Sequence, residues 1–290
     1  MRKESVLAVA VFLFSVVSSS VSAQTGRVFD SLTMQSEILE GERRYAVYLP
    51  PDYETSQRSY PVLYLLHGGG DDQSGWIQFG EVLHIADKAI QSGRATPMVI
   101  AMPDAHSGQR GYFNSPNGEW RYEDHFFEEF VPYIEKTYRI RSEKRYRAVA
   151  GLSMGGGGSF IYALHRPEMF SSACPLSAST GPLSIEDARE RLTRRNQPFT
   201  EEQLEAYYQS HSVLELVNTL PVEQIKSVRW YIDCGDEDFL YEGNSLVHIA
   251  LRKREIPHEF RIRDGGHTWT YWRTALPDVL EFISAAFHQH

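Results

Sequence analysis

The residues best able to do chemistry in this chain stand in Gly151-Leu152-Ser153-Met154-Gly155. An apolar run, Ala148-Val149-Ala150, leads in, and a glycine tract from Gly155 to Gly158 leads out into Ser159-Phe160-Ile161-Tyr162-Ala163-Leu164. Gly-x-Ser-x-Gly between a strand and a helix is the setting in which a tight turn presents a nucleophilic serine. Backbone at such a turn is strained, and a Cβ two positions to either side would collide with neighbouring chain. The plain alternative is a glycine-rich turn that only packs closely.

A hydroxyl is a weak nucleophile until a base takes its proton and a third group orients that base. One histidine has suitable surroundings for a base. His267 lies in Gly265-Gly266-His267-Thr268-Trp269, after the last strand-like run and before the last helical one. Glycines there let the loop bend the imidazole back over a sheet edge. His211, His248, His258, His288 and His290 stand in helix-like, polar or terminal surroundings and read as solvated or structural, while His67 ends a strand ahead of glycines.

For the acid, the run from Trp230 to Leu240 offers Asp233, Asp236, Glu237 and Asp238. Asp233 ends the strand and reads as support for a turn. Asp236 and Glu237 open the loop and read as solvated charge. Asp238 precedes Phe239-Leu240, apolar neighbours that could bury it against the imidazole. Chemistry alone gives Asp238 only a modest lead over Asp236.

Acyl transfer also needs donors for a developing oxyanion. One is the Met154 N–H, at the start of a helix whose dipole favours negative charge. The other comes from His67-Gly68-Gly69-Gly70, with Gly69 the first choice and Gly68 the second. No Lys follows these glycines and their spacing fits neither nucleotide fingerprint, so a phosphate cradle is the weaker reading. Trp76, Tyr112, Trp269 and Trp272 lie beside the motifs and could wall a site for an aromatic acyl group or a sugar ring. Core packing is the competing reading for each.

Positioning these groups requires a sheet. Val28 to Ile38 and Arg43 to Leu49 read as an extended pair around Glu40-Gly41-Glu42, and Pro50-Pro51 stops the second run. Pro61 to Leu66, Pro97 to Met102, the run to Ala150, Ser171 to Ser177 and Val228 to Asp233 are continuous apolar runs, the mark of strands buried on both faces. Phe260 to Ile262 is a last strand. Between them, apolar residues recur at helical spacing: Trp76, Phe79, Leu83, Ile85, Ala86 and Ile90 predict one helix ending near Gly93, and Phe126, Phe127, Phe130, Val131, Ile134 and Tyr138 another. Leu246 to Arg252 and Tyr271 to Phe287 predict two more. Alternation of this kind makes an α/β protein, a mainly parallel sheet with helices on both faces. The polar, helix-prone segment 179–226, with helices expected over Ala188 to Arg195 and Glu201 to Gln209, follows the strand at 171–177. Open sheets bind ligands at that edge, so the insertion is either a lid or pocket wall, or a packed decoration.

With 290 residues, a net charge of −9 and 42% hydrophobic residues, the chain can bury a large core as one domain, 24–290. Its mild acidity and lack of a Lys/Arg stripe argue against a nucleic-acid partner. Arg2 and Lys3 precede an apolar run from Val6 to Val17, then small residues ending in Val21-Ser22-Ala23. That is the build of a signal peptide cleaved after Ala23, too short for a comfortable membrane span. Export to the periplasm or medium is therefore expected, with no stable membrane span in the mature chain. Cys174 falls early in its apolar run and Cys234 late in its own. In neighbouring parallel strands that offset holds the sulfurs too far apart to bond, so two buried free thiols are expected.

Leu66-His67-Gly68-Gly69-Gly70, Gly151-Leu152-Ser153-Met154-Gly155-Gly156, Asp233-Cys234-Gly235-Asp236-Glu237-Asp238 and Gly265-Gly266-His267-Thr268-Trp269 occur in this order. In this the chain resembles the esterase D-like α/β-hydrolases, which include the feruloyl and acetyl xylan esterases of carbohydrate esterase family 1. The resemblance runs from about Arg43 to Phe287. It implies an α/β-hydrolase fold and a serine esterase without metal or cofactor, acting on small or polysaccharide-linked esters. The family's acid lies three residues after the glycine of the Asp-Cys-Gly-like turn, which implies Asp238 over Asp236. Pro103-Asp104 and Tyr112-Phe113-Asn114 resemble its pocket-lining segment. An acyltransferase would use the same three residues with another alcohol in place of water, and a binding protein of this fold should have lost one of them.

Overall fold

The computed structural model describes residues 25–105, 111–194 and 198–288, so the expected signal peptide, 1–23, lies outside the described residues. Eight strands form one sheet in the order β1-β2-β4-β3-β5-β6-β7-β8. β1 (Arg27–Ser36) and β2 (Gly41–Leu49) are the expected extended pair, antiparallel to each other. Their turn begins earlier than the Glu40-Gly41-Glu42 reading, because Glu40 takes a left-handed φ of 51° and Gly41 opens the second strand. β2 also runs antiparallel to β4 (Val99–Pro103). All other pairings, through β3 (Val62–Leu66), β5 (Arg147–Leu152), β6 (Ser172–Leu176), β7 (Arg229–Gly235) and β8 (His258–Arg263), are parallel.

The continuous apolar runs are indeed buried on both faces. Within β3, Val62, Tyr64 and Leu66 join one core while Leu63 and Leu65 join the other, as the two-residue period of a strand requires. The first core holds Phe126, Phe130, Phe160, Ile161 and Trp230; the second holds Val82, Ala86, Leu276, Val279 and Leu280. Helices therefore cover the sheet on both sides, the α/β architecture read from the alternation. Its central members are α5 (Met154–His165) on the first face and α11 (Trp269–His288) packed beside α2 (Val82–Gln91) on the second.

Three segments differ from the periodicity. The single helix expected from Trp76 to Ile90 is two, α1 (Gly75–Gln78) and α2. The break falls at Gly80, where a Cβ would stand 2.6 Å from the Trp76 ring, and at Glu81, which turns left-handed at φ 52°. Phe79 is thereby swung out of the expected buried face to 48% exposure. The phenylalanine-rich helix is α3 (Tyr122–Asp124), a π-helical stretch (His125–Phe130) and α4 (Val131–Thr137). The wider turn is paired with a buried contact, His125 Nδ1 to Glu129 Oε2 at 2.7 Å. Finally, the described residues of segment 179–226 hold four helices rather than two: α6 (Ile185–Arg194), α7 (Glu201–His211), α8 (Val213–Thr219) and α9 (Val222–Lys226). α6 and α7 share a small core of Ala188, Leu192, Leu204 and Tyr207, whereas Val213, Leu216, Val217 and Ile225 enter the main core. Half of the insertion is thus integral to the fold. α10 (Tyr241–Lys253) completes the set.

Cys174 and Cys234 are free and buried, as expected. The register explains it: Leu176 pairs with Asp233, which sets Cys174 and Cys234 at different heights on adjacent strands. Burial pushes the Cys234 thiol up to about 12, so it stays uncharged and inert.

Candidate active site

Three strand ends on one edge of the sheet supply the site. β5 runs into Ser153, whose φ of 54° and ψ of −113° are non-helical, and α5 starts at the next residue. The glycines are required here by contact. A Cβ on Gly151 would stand 2.6 Å from the Gly155 backbone, and one on Gly155 2.5 Å from the Leu66 carbonyl oxygen. The turn is fixed further by its own backbone: the Ser153 N–H donates to Leu176 O and the Ser153 carbonyl accepts from Gly157 and Ser179 N–H, each at 2.9–3.0 Å.

The Ser153 Oγ lies 2.9 Å from His267 Nε2, and His267 Nδ1 lies 2.8 Å from Asp238 Oδ2. Nδ1 therefore carries the proton toward the carboxylate, and Nε2 faces the hydroxyl as an acceptor. The loop bearing His267 is held by Asp236, whose Oδ1 accepts the Gly265 N–H at 3.1 Å. Asp236 and Glu237 are exposed, as read from sequence, while Asp238 is fully buried. Phe239 does not bury it: that ring is 71% exposed and leans on the imidazole with centroids 4.6 Å apart.

Asp238 is instead dressed by polar donors. The Leu240 N–H donates to its Oδ1 at 2.8 Å, and the nearby Ser177 hydroxyl also favours its ionised form. Burial would raise this carboxyl, but the bonds from His267, Leu240 and Ser177 outweigh it and hold it below its ordinary value. Ser177 in turn accepts the Trp272 indole N–H at 3.0 Å, and its own left-handed φ of 43° aims it from the end of β6. Sequence reasoning missed Ser177. A serine ending an apolar strand carries no spacing signal, and only its neighbours in space give it a part.

Asp233 is the main correction. It lies inside β7, fully buried, and supports no turn. Its oxygens accept from Tyr271 Oη at 2.5 Å and Tyr231 Oη at 3.0 Å and pair with Arg263 at 3.0 Å. Burial raises this carboxyl above its ordinary value, against the pull of Tyr271 and Arg263.

On the oxyanion side, Gly68 is buried, and a Cβ there would come within 3.6 Å of Ser153 Cβ. Gly69 follows in open space, with nothing within 4 Å of where its Cβ would be. The peptide joining the two therefore runs beside Ser153. Met154 opens α5, where N–H groups lack an intrahelical acceptor. His67 braces the loop from beneath: it is buried, Nε2 accepts the Ala105 N–H at 2.9 Å and Nδ1 donates to Gly68 O at 2.8 Å.

The four aromatic wall candidates separate. Trp76 is buried with its indole N–H on Leu66 O at 3.0 Å, and Tyr112 is buried with its hydroxyl on the His67 N–H at 2.8 Å. Trp272, also buried, sets its ring edge-on to His267 at 4.8 Å. These three fill the core behind the site and wall nothing, because their polar atoms are already bound inside. Trp269 alone of the four is partly exposed. Among the described residues no cluster of His, Cys, Asp or Glu could hold a metal ion, and no helix is long and apolar enough to cross a membrane.

A mainly parallel sheet with serine, aspartate and histidine on its edge loops in that chain order is the architecture of an α/β-hydrolase. Residues 36–283 match the family described as "Putative esterase". A solved ferulic acid esterase is 37% identical, with a TM-score of 0.79 over 91% of this chain and 99% of that one. An esterase of Mycobacterium tuberculosis is 41% identical over 48% of this chain, and a xylanase/feruloyl esterase of Xylanibacter ruminicola 35% over 49%. The matches span only 29% and 20% of those longer proteins. An S-formylglutathione hydrolase of Agrobacterium tumefaciens, 22% identical, shares the fold with a TM-score of 0.73 over 93% of this chain and 99% of that one. The chain belongs to this esterase family, a group of α/β-hydrolase ester hydrolases.

Proposed function

We propose that this chain is an exported serine esterase that removes feruloyl or acetyl groups from plant polysaccharides. The observation that carries the reading is the continuous relay from Ser153 Oγ through His267 to Asp238. Ser153 Oγ attacks the ester carbonyl as Nε2 of His267 takes its proton, and Asp238 steadies the resulting imidazolium. The N–H groups of Met154 and Gly69 receive the oxyanion, with Gly68 packed tightly enough to keep that peptide beside the serine. The alcohol leaves with the proton from Nε2. Water, deprotonated by the same nitrogen, then releases the acid from the acyl-serine.

The kinship with a ferulic acid esterase and with the xylanase/feruloyl esterase of Xylanibacter supports the acyl group and the polysaccharide. The leader through Ala23 supports export, since a polymer must be met outside the cell. The test is turnover of methyl ferulate and p-nitrophenyl acetate by the protein and by Ser153→Ala. Loss of the nucleophile should lower kcat on the order of a millionfold. Wild-type-like turnover by the variant would refute the reading.

A further inference from the structure

A cleft of about 330 Å³ opens beside the glycine loop, lined by Arg44, Asp72, Ser74, Gln78 and Phe79 together with the Gly70-Asp71 turn. It adjoins the reacting centre on the histidine side. A Cβ on Gly75, in its wall, would stand 3.3 Å from the Trp269 ring, and Phe79 packs on Trp269 at 5.8 Å. Trp269 follows closely on His267, the group that returns a proton to the leaving oxygen. The cleft thus lies within reach of the leaving side of an ester held on Ser153.

Its chemistry is polar with one aromatic face. Ser74 donates to Asp72 Oδ1 through both Oγ and N–H, at 2.6 and 2.8 Å, and its Oγ accepts from Gln78 Nε2 at 2.8 Å. Three side chains are thus fixed relative to one another before anything binds, which lowers the entropy lost on binding. Asp72 Oδ2 and the Gln78 side-chain carbonyl take no part in these bonds, and the Arg44 guanidinium, 56% exposed, supplies donors. Burial would raise the Asp72 carboxyl, but Ser74 and nearby Arg44 hold it low and ionised. Phe79 shows its ring to the same space at 48% exposure, an apolar face that the broken helix put outside the core. Acceptors and a donor around one ring face suit a sugar, which has hydroxyls on its rim and C–H bonds on its flat side.

We propose that this cleft binds the sugar bearing the ester, with Phe79 beneath the ring and Asp72, Gln78 and Arg44 on its hydroxyls. The assignment rests on the esterase reading above and names its alcohol half. The experiment compares kcat/KM for a xylo-oligosaccharide ester with that for the methyl ester of the same acid, ferulate or acetate, whichever the wild type turns over. The wild type should prefer the sugar ester. Phe79→Ala and Gln78→Ala should each cut that preference about tenfold, mainly through KM. Phe79→Trp should keep it, and Phe79→Leu, apolar without a π face, should not. An unchanged ratio in Phe79→Ala, equal behaviour of the Trp and Leu variants, or no wild-type preference overturns the cleft alone. Failure of the wild type on both esters strikes the esterase reading first and the cleft with it.

Discussion

Asp233, inside β7, and Asp238, in the loop that follows it, have side chains equally buried, yet they are held in opposite ways. Asp233 is clamped by Tyr231, Tyr271 and Arg263, so its carboxylate ties β7 to β8 and α11. Asp238 touches a backbone N–H, a serine hydroxyl and the one imidazole that reaches Ser153. One carboxyl is raised and the other lowered. Burial alone therefore does not single out a carboxylate for chemistry. In the proposed mechanism what singles out Asp238 is a partner that has to change charge.

The sharpest way to break this contrast is to neutralise both carboxylates in turn. Asp238→Asn should lower kcat on methyl ferulate by roughly ten-thousandfold through a misoriented imidazole. Asp233→Ala should leave kcat nearly intact but cost about 3 kcal/mol in urea unfolding, because Arg263 and two phenols lose their acceptor. Comparable losses of kcat in both variants would erase the distinction.

A smaller effect lies in pH. The lowered carboxyl of Asp238 adds stability that is present above the unfolded value of 3.8 and lost as pH falls through its folded pKa. The raised carboxyl of Asp233 works the other way, its contribution complete below 3.8 and lost as pH rises through its folded pKa. Urea midpoints from pH 3 to 7 should therefore show the wild-type advantage over Asp238→Asn shrinking on acidification. The advantage over Asp233→Asn should grow. Parallel curves would show that both sites are held by packing alone. The smallest effect belongs to Asp236→Asn, which removes an exposed loop contact and should change kcat less than about threefold and stability by about 0.5 kcal/mol.

The parts of this site read from sequence share one property: each is announced by its immediate neighbours. Ser153 sits among glycines whose absence of a Cβ is forced by close backbone, His267 follows a Gly265 whose φ of 134° favours glycine, and the apolar runs of β3 to β7 fix where those turns fall. Between Asp238 and Asp236, local chemistry gave little, and kinship with the esterase D-like proteins carried the choice. Ser177, the inward turn of Trp272 and the outward swing of Phe79 were not legible, since each depends on a contact between distant segments or on a helix broken by packing. The same holds for α8 and α9. Their short apolar patches look like polar surface helices until the main core is there to receive them.

Ser153 itself carries a last consequence. At φ 54° and ψ −113°, Ser153 occupies backbone space that a side chain resists and glycine accepts freely. Strain of this kind amounts to about 1–3 kcal/mol, so relaxing the turn by Ser153→Gly would make a sturdier protein with no hydroxyl to offer. Robustness and usefulness pull in opposite directions at this one residue.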